Sequence, residues 1–218
     1  MNFLSHFYFE LPNTNPYFVA GLAIPDLTTR FSKRYNQIVK RAEIPAANDL
    51  AELHQGILAH YAADKKFHNS PVFLNQVSAL IQEFLKQGLD RGKWRLSVLS
   101  HLAVEMMLDR QIYYHQKEIC AQYYWVLERA DIERIQHYFD HMGMVLEKQD
   151  FIPKFQLYKE KRFLEQFDDL ECILWGLNRL YSFITKIYFT DLENKQFLAA
   201  LSNIDEEMRY RWQDFLKV

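Results

Sequence analysis

Apolar residues recur at three- and four-residue spacing over most of the chain, the period of helices that bury one face. From about Asp49 to His68, Leu50, Leu53, Ile57 and Leu58 form one such stripe, and Ser70-Pro71 ends it. Pro71 to about Lys86 is the next expected helix, since proline suits the first helical position and Gly88 lies just past the end. The run from Lys93 to about Gln116 carries Leu96, Leu99, Leu102, Val104, Met106, Met107 and Leu108, apolar around much of its circumference, which predicts a central helix. Three later helices are expected over Asp131 to Lys148, Asp168 to Tyr188 and Asp191 to Lys217, with the three aspartates as caps. The first nine residues read as helical or extended and end at Leu11-Pro12-Asn13. Ile24-Pro25-Asp26 should interrupt a short element from Asn15 to Phe31, because proline lacks a backbone donor and disfavours helical geometry before it; Asp26 would then stand at a helix start or bend. Asp150-Phe151-Ile152-Pro153 is the clearest late break, with helical character resuming near Lys159. The pattern predicts an all-α bundle of about seven to nine helices, in one domain spanning residues 1–218.

Composition agrees with this pattern. Six Gly and six Pro in 218 residues leave few breakers for a hairpin-rich fold. The aromatic share of 16% must lie mostly inside or line a cleft, because large exposed apolar patches are unusual. A formal net charge of −2 offers no general attraction for nucleic acid or an anionic membrane, and neither partner is expected. One stretch differs: between Asp26 and Glu43, Arg30, Lys33, Arg34, Lys40 and Arg41 occur with no acid among them. Such runs usually form solvated faces, but this one begins beside a candidate catalytic aspartate. Cys120 and Cys172 lack any close partner in sequence, which fits a reducing, cytoplasmic location rather than a disulfide framework or thiolate zinc site. The N-terminus has no basic leader and does not read as a signal peptide, and no apolar run approaches membrane-spanning length.

The chemistry in this sequence lies in its histidines and acids. Glycine-rich phosphate loops and the GxSxG elbow are absent, which removes nucleotide-fold and serine-hydrolase readings. His60, Asp64 and His68 recur every four residues on one expected helix, and His101 and Glu105 repeat the spacing on another. Residues four apart share a helix face, so each pair can direct imidazole and carboxylate at one cation. His101 and Glu105 in a mostly apolar helix would be buried polar groups, for which a metal is one suitable partner. Two such helices side by side would make a site from His60, Asp64, His101 and Glu105, and the set extends to His6, Asp26 and His68. Taken singly, such pairs more often sit on solvated helix faces. The remaining histidines, His54, His115, His137 and His141, match no such pattern and are assigned to the surface.

At Met1-Asn2-Phe3-Leu4-Ser5-His6, Gly21 to Asp26, Gly56 to Asp64 and Glu105 to Arg110 the chain resembles the acyl carrier protein phosphodiesterases, relatives of the HD-domain metallohydrolases, which remove the phosphopantetheine arm from holo acyl carrier protein. Met1-Asn2-Phe3-Leu4-Ser5-His6 is nearly identical to the opening of family members, and Gly21-Leu22-Ala23-Ile24-Pro25-Asp26 is similar to a GNLLxD segment. Gly56-Ile57-Leu58-Ala59-His60-Tyr61-Ala62-Ala63-Asp64 is similar to GIxxHRxID, with Pro71 matching the proline that follows, and Glu105-Met106-Met107-Leu108-Asp109-Arg110 stands where the family has DHFLxR. Arg162-Phe163-Leu164-Glu165 and Gly176-Leu177-Asn178-Arg179 resemble later blocks, so the matches run in order along nearly the whole chain. The chain departs from the family at Tyr61, where an arginine stands, at His68 and His101, which replace acids, and at Glu105, which replaces aspartate.

The resemblance implies an HD-like helical fold and a metal-dependent phosphodiesterase in lipid metabolism. Its substrate would be the phosphopantetheine–serine diester of holo acyl carrier protein or a related phosphoester. Asp26, Asp64 and His68 would be catalytic, and cations would lower the pKa of attacking water. Arg30, Lys33, Lys65 and Lys66 would meet phosphate or an acidic carrier helix. Exchanging oxygen ligands for imidazole moves preference from Mg²⁺ towards Mn²⁺, Fe²⁺ or Zn²⁺. The alternatives are a related metallohydrolase of a small phosphoester or nucleotide, and a non-catalytic helical binding module.

Overall fold

A computed structural model describes residues 1–28 and 32–217. Among them the chain is all-α: α1 (Phe3–Phe9), α2 (Pro16–Leu27), α3 (Ser32–Arg41), α4 (Asn48–His68), α5 (Pro71–Lys86), α6 (Leu96–His115), α7 (Lys117–Glu128), α8 (Ile132–His141), α9 (Val145–Lys161), α10 (Leu170–Thr185) and α11 (Asp191–Arg211). Short 3₁₀ turns occupy Phe163–Gln166 and Trp212–Leu216. No described helix is long and apolar enough to cross a membrane.

The count exceeds the expected seven to nine for identifiable reasons. Helices α3 and α7 are extra, and the expected helix from Asp131 to Lys148 is two. Gly143 takes a left-handed φ of +65°, and its neighbour Met144 donates to the Phe139 carbonyl at 2.8 Å, a glycine-terminated helix end that separates α8 from α9. Neither proline break occurs. Pro25 sits in the last turn of α2, where a missing donor costs one bond, and the Thr28 N–H and hydroxyl seal the end on the Ile24 carbonyl at 3.0 and 2.9 Å. Pro153 lies inside α9, between Phe151 and Phe155, both fully buried and stacked 5.0 Å apart, so packing outweighs the lost bond. The caps also shift. Asp131 caps α8 as expected, but Asp169 rather than Asp168 caps α10, and Thr190 rather than Asp191 caps α11 through a reciprocal box with Glu193.

The chain divides into two compact units, each discontinuous in sequence. The first comprises residues 3–65 and 117–163, and the second Met1–Asn2, Lys66–Gln116 and Leu164–Val218. In the first, Leu4, Phe7, Ile24, Leu53, Ile57, Tyr123, Tyr138, Phe139 and Phe155 form the core. Helices α2 and α4 touch closely at two glycines. A Cβ on Gly21 would lie 2.3 Å from the Leu53 carbonyl oxygen, and one on Gly56 2.1 Å from that of Phe18, so the two backbones touch where both lack side chains.

In the second unit, Phe67, Phe84, Leu99, Met107, Leu177, Phe197 and Met208 are core residues. Arg110 of α6 makes a bidentate pair with Asp205 of α11, at 2.8 and 3.0 Å, and also donates to the Phe167 carbonyl. Gly176 of α10 admits Met106 of α6, whose Cε would stand 2.7 Å from an added Cβ.

Candidate metal centre

Four chemically active side chains meet in the first unit: the α2–α4 contact brings Asp26 to His60 and Asp64, and α1 adds His6. His60 lies one turn beyond Gly56, and its Nδ1 is 2.9 Å from the Leu22 carbonyl next to Gly21. As the carbonyl can only accept, Nδ1 carries a proton, so in the neutral ring the lone pair is on Nε2, the tautomer of a metal-binding histidine. That Nε2 lies 3.3 Å from Asp64 Oδ2 and 3.8 Å from Asp26 Oδ1. From α1, His6 stacks on the His60 ring at 3.9 Å between centroids and places its own Nε2 3.2 Å from Asp64 Oδ1. Ligand atoms about 2.1 Å from one ion, at angles of about 90–110°, lie roughly 3.0–3.4 Å apart; the two contacts to Asp64 have this spacing, and Asp26 at 3.8 Å would close by a few tenths of an ångström to join a single cation.

The imidazoles form a buried floor while the Asp26 and Asp64 side chains are 31% and 26% exposed, which leaves the carboxylate side open to an ion and a substrate. Burial, then the charge on His60, lowers the His6 pKa to about 3, so His6 is neutral at physiological pH. Although burial pulls His60 the other way, the Asp26 and Asp64 carboxylates raise its pKa. Burial likewise opposes the charge of Asp64, but hydrogen bonding to His6 and His60 outweighs it and lowers the pKa. His6 Nδ1 has no hydrogen-bond partner although the ring is fully buried, and Nε2 faces the Asp64 carboxylate. A buried, neutral imidazole that faces a carboxylate, with Asp26 and His60 ligand atoms within 4.8 Å, fits a metal ligand better than a core residue.

No protein-family model, curated protein or solved structure matches this chain.

His101, Glu105 and His68 come together in the second unit, where Glu105 Oε1 lies 3.3 Å from His101 Nε2 and 2.7 Å from His68 Nε2. Burial opposes the Glu105 charge, but the N-terminal ammonium and hydrogen bonds with His101 and His68 lower its pKa. Lys65 and Lys66 have exposed side chains, and Arg30 lies outside the described residues. Lys33 lines a groove of about 300 Å³ with Asn36, Gln37 and Lys40, all on α3. Arg110, in the block that resembles DHFLxR, serves the buried pair with Asp205.

Two residues beside the centre were not expected. Tyr61 sets its ring edge on His60, at 5.5 Å and 88°, and Lys40 Nζ lies 5.1 Å over the Tyr61 ring. Burial and the nearby Asp26 and Asp64 raise the Tyr61 pKa, so its hydroxyl stays protonated. His54, assigned to the surface, is buried with its Nδ1 2.8 Å from the Tyr138 hydroxyl. The expected surface position holds for His115, His137 and His141. Position 54 lies on the same helix face as Ile57 and Leu58 of the apolar stripe, a signal that would have identified His54 as a core residue.

Proposed function

We propose that this chain is a metal-dependent phosphodiester hydrolase with an HD-like fold, acting in the cytoplasm on the phosphopantetheinyl serine of holo acyl carrier protein. The observation that carries the reading is the His60 tautomer, with Nδ1 committed to Leu22 and Nε2 directed at two half-open carboxylates. His6, His60, Asp64 and Asp26 would hold the cation. Bound there, a divalent ion supplies Lewis acidity and lowers the pKa of water.

The chain's own groups divide the remaining work. His6 and His60 are fixed by stacking and by the Leu22 carbonyl, so the ligand set needs little rearrangement. Asp26, the more exposed carboxylate, accepts a proton from attacking water. The family arginine is missing, and Tyr61 with Lys40 takes its place: a protonated phenol donates a hydrogen bond to a phosphate oxygen, and the ammonium supplies charge. Lys33 and Lys40 on the α3 groove suit an acidic carrier surface.

The test is hydrolysis of holo acyl carrier protein and of a generic phosphodiester by metal-free protein reloaded with Mn²⁺, Fe²⁺, Zn²⁺ or Mg²⁺. Release of the phosphopantetheine arm, lost in Asp26→Asn and Asp64→Asn, supports the proposal. Cleavage of the small diester alone selects a small-phosphoester hydrolase, and no hydrolysis with any ion selects a non-catalytic binding module.

A further inference from the structure

The geometry points to a transition-metal site complete within the second unit, made by His68, His101 and Glu105 and distinct in its ligands from the centre proposed above. One ligand atom from each residue lies within 4.8 Å of the other two. Two imidazoles and one carboxylate form the ligand set of many catalytic zinc sites and of non-haem Fe²⁺ sites, and it is a poor match for Mg²⁺.

The Met1 nitrogen lies 3.0 Å from Glu105 Oε1 and 3.2 Å from His68 Nε2, where a bound ion would displace it. A further observation shows a built site rather than a chance cluster on a helix face: the rings are held. Phe73 of α5 is buried, with its ring 5.1 Å from that of His68 and edge-on to His101 at 5.0 Å, while the two imidazoles lie 4.5 Å apart. Access is open, because the His68 and His101 side chains are 28% and 39% exposed. Occupied, the site would tie the end of α4 to α6.

The inference does not rest on the phosphodiesterase reading and is tested without activity. The full chain, stripped of metal by a chelator, is titrated with Zn²⁺ by calorimetry and with Co²⁺ by visible absorption, alongside His101→Ala, Glu105→Gln and His60→Ala. We expect His101→Ala and Glu105→Gln each to lose one bound equivalent of Zn²⁺, or to weaken that step by more than the roughly hundredfold that loss of an outer-shell partner costs. His60→Ala should retain that equivalent. The Co²⁺ form of the wild type should show ligand-field bands that both second-unit variants lack, with unchanged helical circular dichroism. Wild-type stoichiometry and affinity in both second-unit variants would overturn the inference. So would loss of the same equivalent in His60→Ala, or no Zn²⁺ bound by the wild type.

Discussion

His6 and His60 stack with their ring centroids 3.9 Å apart, and their Nε2 atoms lie beside different oxygens of one carboxylate, Asp64, at 3.2 and 3.3 Å. The two rings cannot both carry charge at this distance without strong repulsion, and burial keeps His6 neutral. A cation between the nitrogens and the carboxylate would satisfy all three groups. His60→Ala and Asp64→Ala are therefore expected to abolish metal binding at this centre while the circular dichroism stays helical. Tyr61→Ala should leave it intact, because Tyr61 contacts His60 through its ring edge. Equilibrium dialysis at matched concentrations measures this, and equal metal content in wild type and Asp64→Ala would remove Asp64 from the ligand set.

The α2–α4 contact admits no side chain. In Gly56→Ala the new Cβ would meet the Phe18 carbonyl oxygen at 2.1 Å, and backbone cannot rotate away as a side chain can. The helices must separate, at a cost of about 1–3 kcal/mol or more for an overpacked position. Separation also lengthens the bond from His60 to Leu22. Urea unfolding should show the loss of stability, and dialysis a weaker metal affinity. Wild-type values for both would refute the positioning role given to this contact.

Arg110 and Asp205 form a buried pair, and removing Arg110 leaves the Asp205 carboxylate only the Gln111 amide and the more exposed Arg209 at 3.3 Å. Arg110→Ala is expected to lose up to about 3–5 kcal/mol, the cost when one buried charge loses its partner. Replacing both members, as Arg110→Met with Asp205→Leu, should recover much of that loss because the buried carboxylate is gone. If the double variant is no more stable than Arg110→Ala in urea, the weakened pairing of the carboxylate is not the cause.

The legible parts of this chain were those written in local spacing. Helices α4, α5 and α6 follow from the apolar stripe, Pro71 and Gly88, and the i, i+4 pairs His60/Asp64 and His101/Glu105 follow from helical geometry alone. What sequence spacing does not carry is long-range approach. His6 reaches Asp64 only because α1 folds back on the first unit, and Pro25 and Pro153 remain helical because tertiary packing outweighs a local preference. The stretch from Lys33 to Arg41 is dominated by its basic residues, yet Tyr35, Ile38 and Val39 stand at helical spacing, and Tyr35 and Val39 are the buried face of α3.

Selectivity among cations follows from donor type. The first-unit centre offers two imidazoles and two carboxylates, and the second-unit cluster two imidazoles and one. Mg²⁺ prefers oxygen ligands and keeps its waters, so Mn²⁺, Fe²⁺ or Zn²⁺ should bind more tightly than Mg²⁺. Competitive titration of metal-free protein measures the order. A clear preference for Mg²⁺ would contradict the ligand assignment, whichever ion supports the fastest hydrolysis.

His54 gives the fold a pH dependence whose sign can be worked out. The ring is buried against Tyr138, and burial lowers its pKa below the ordinary 6.5. Below pH 6.5 the unfolded chain binds a proton at this position that the folded chain refuses, so acid favours unfolding. The stabilising contribution is therefore complete above pH 6.5 and is lost as the pH falls from there through the lowered folded-state value. In His54→Gln no proton is taken up at position 54 in either state, so that part of the slope should vanish. His6 and His60 titrate in both proteins and cancel in the comparison. Urea midpoints at pH 7.5 and 5.5 supply the measurement: the wild type should lose more stability on acidification than the variant. Equal losses in the two would show that His54 takes up its proton as readily folded as unfolded.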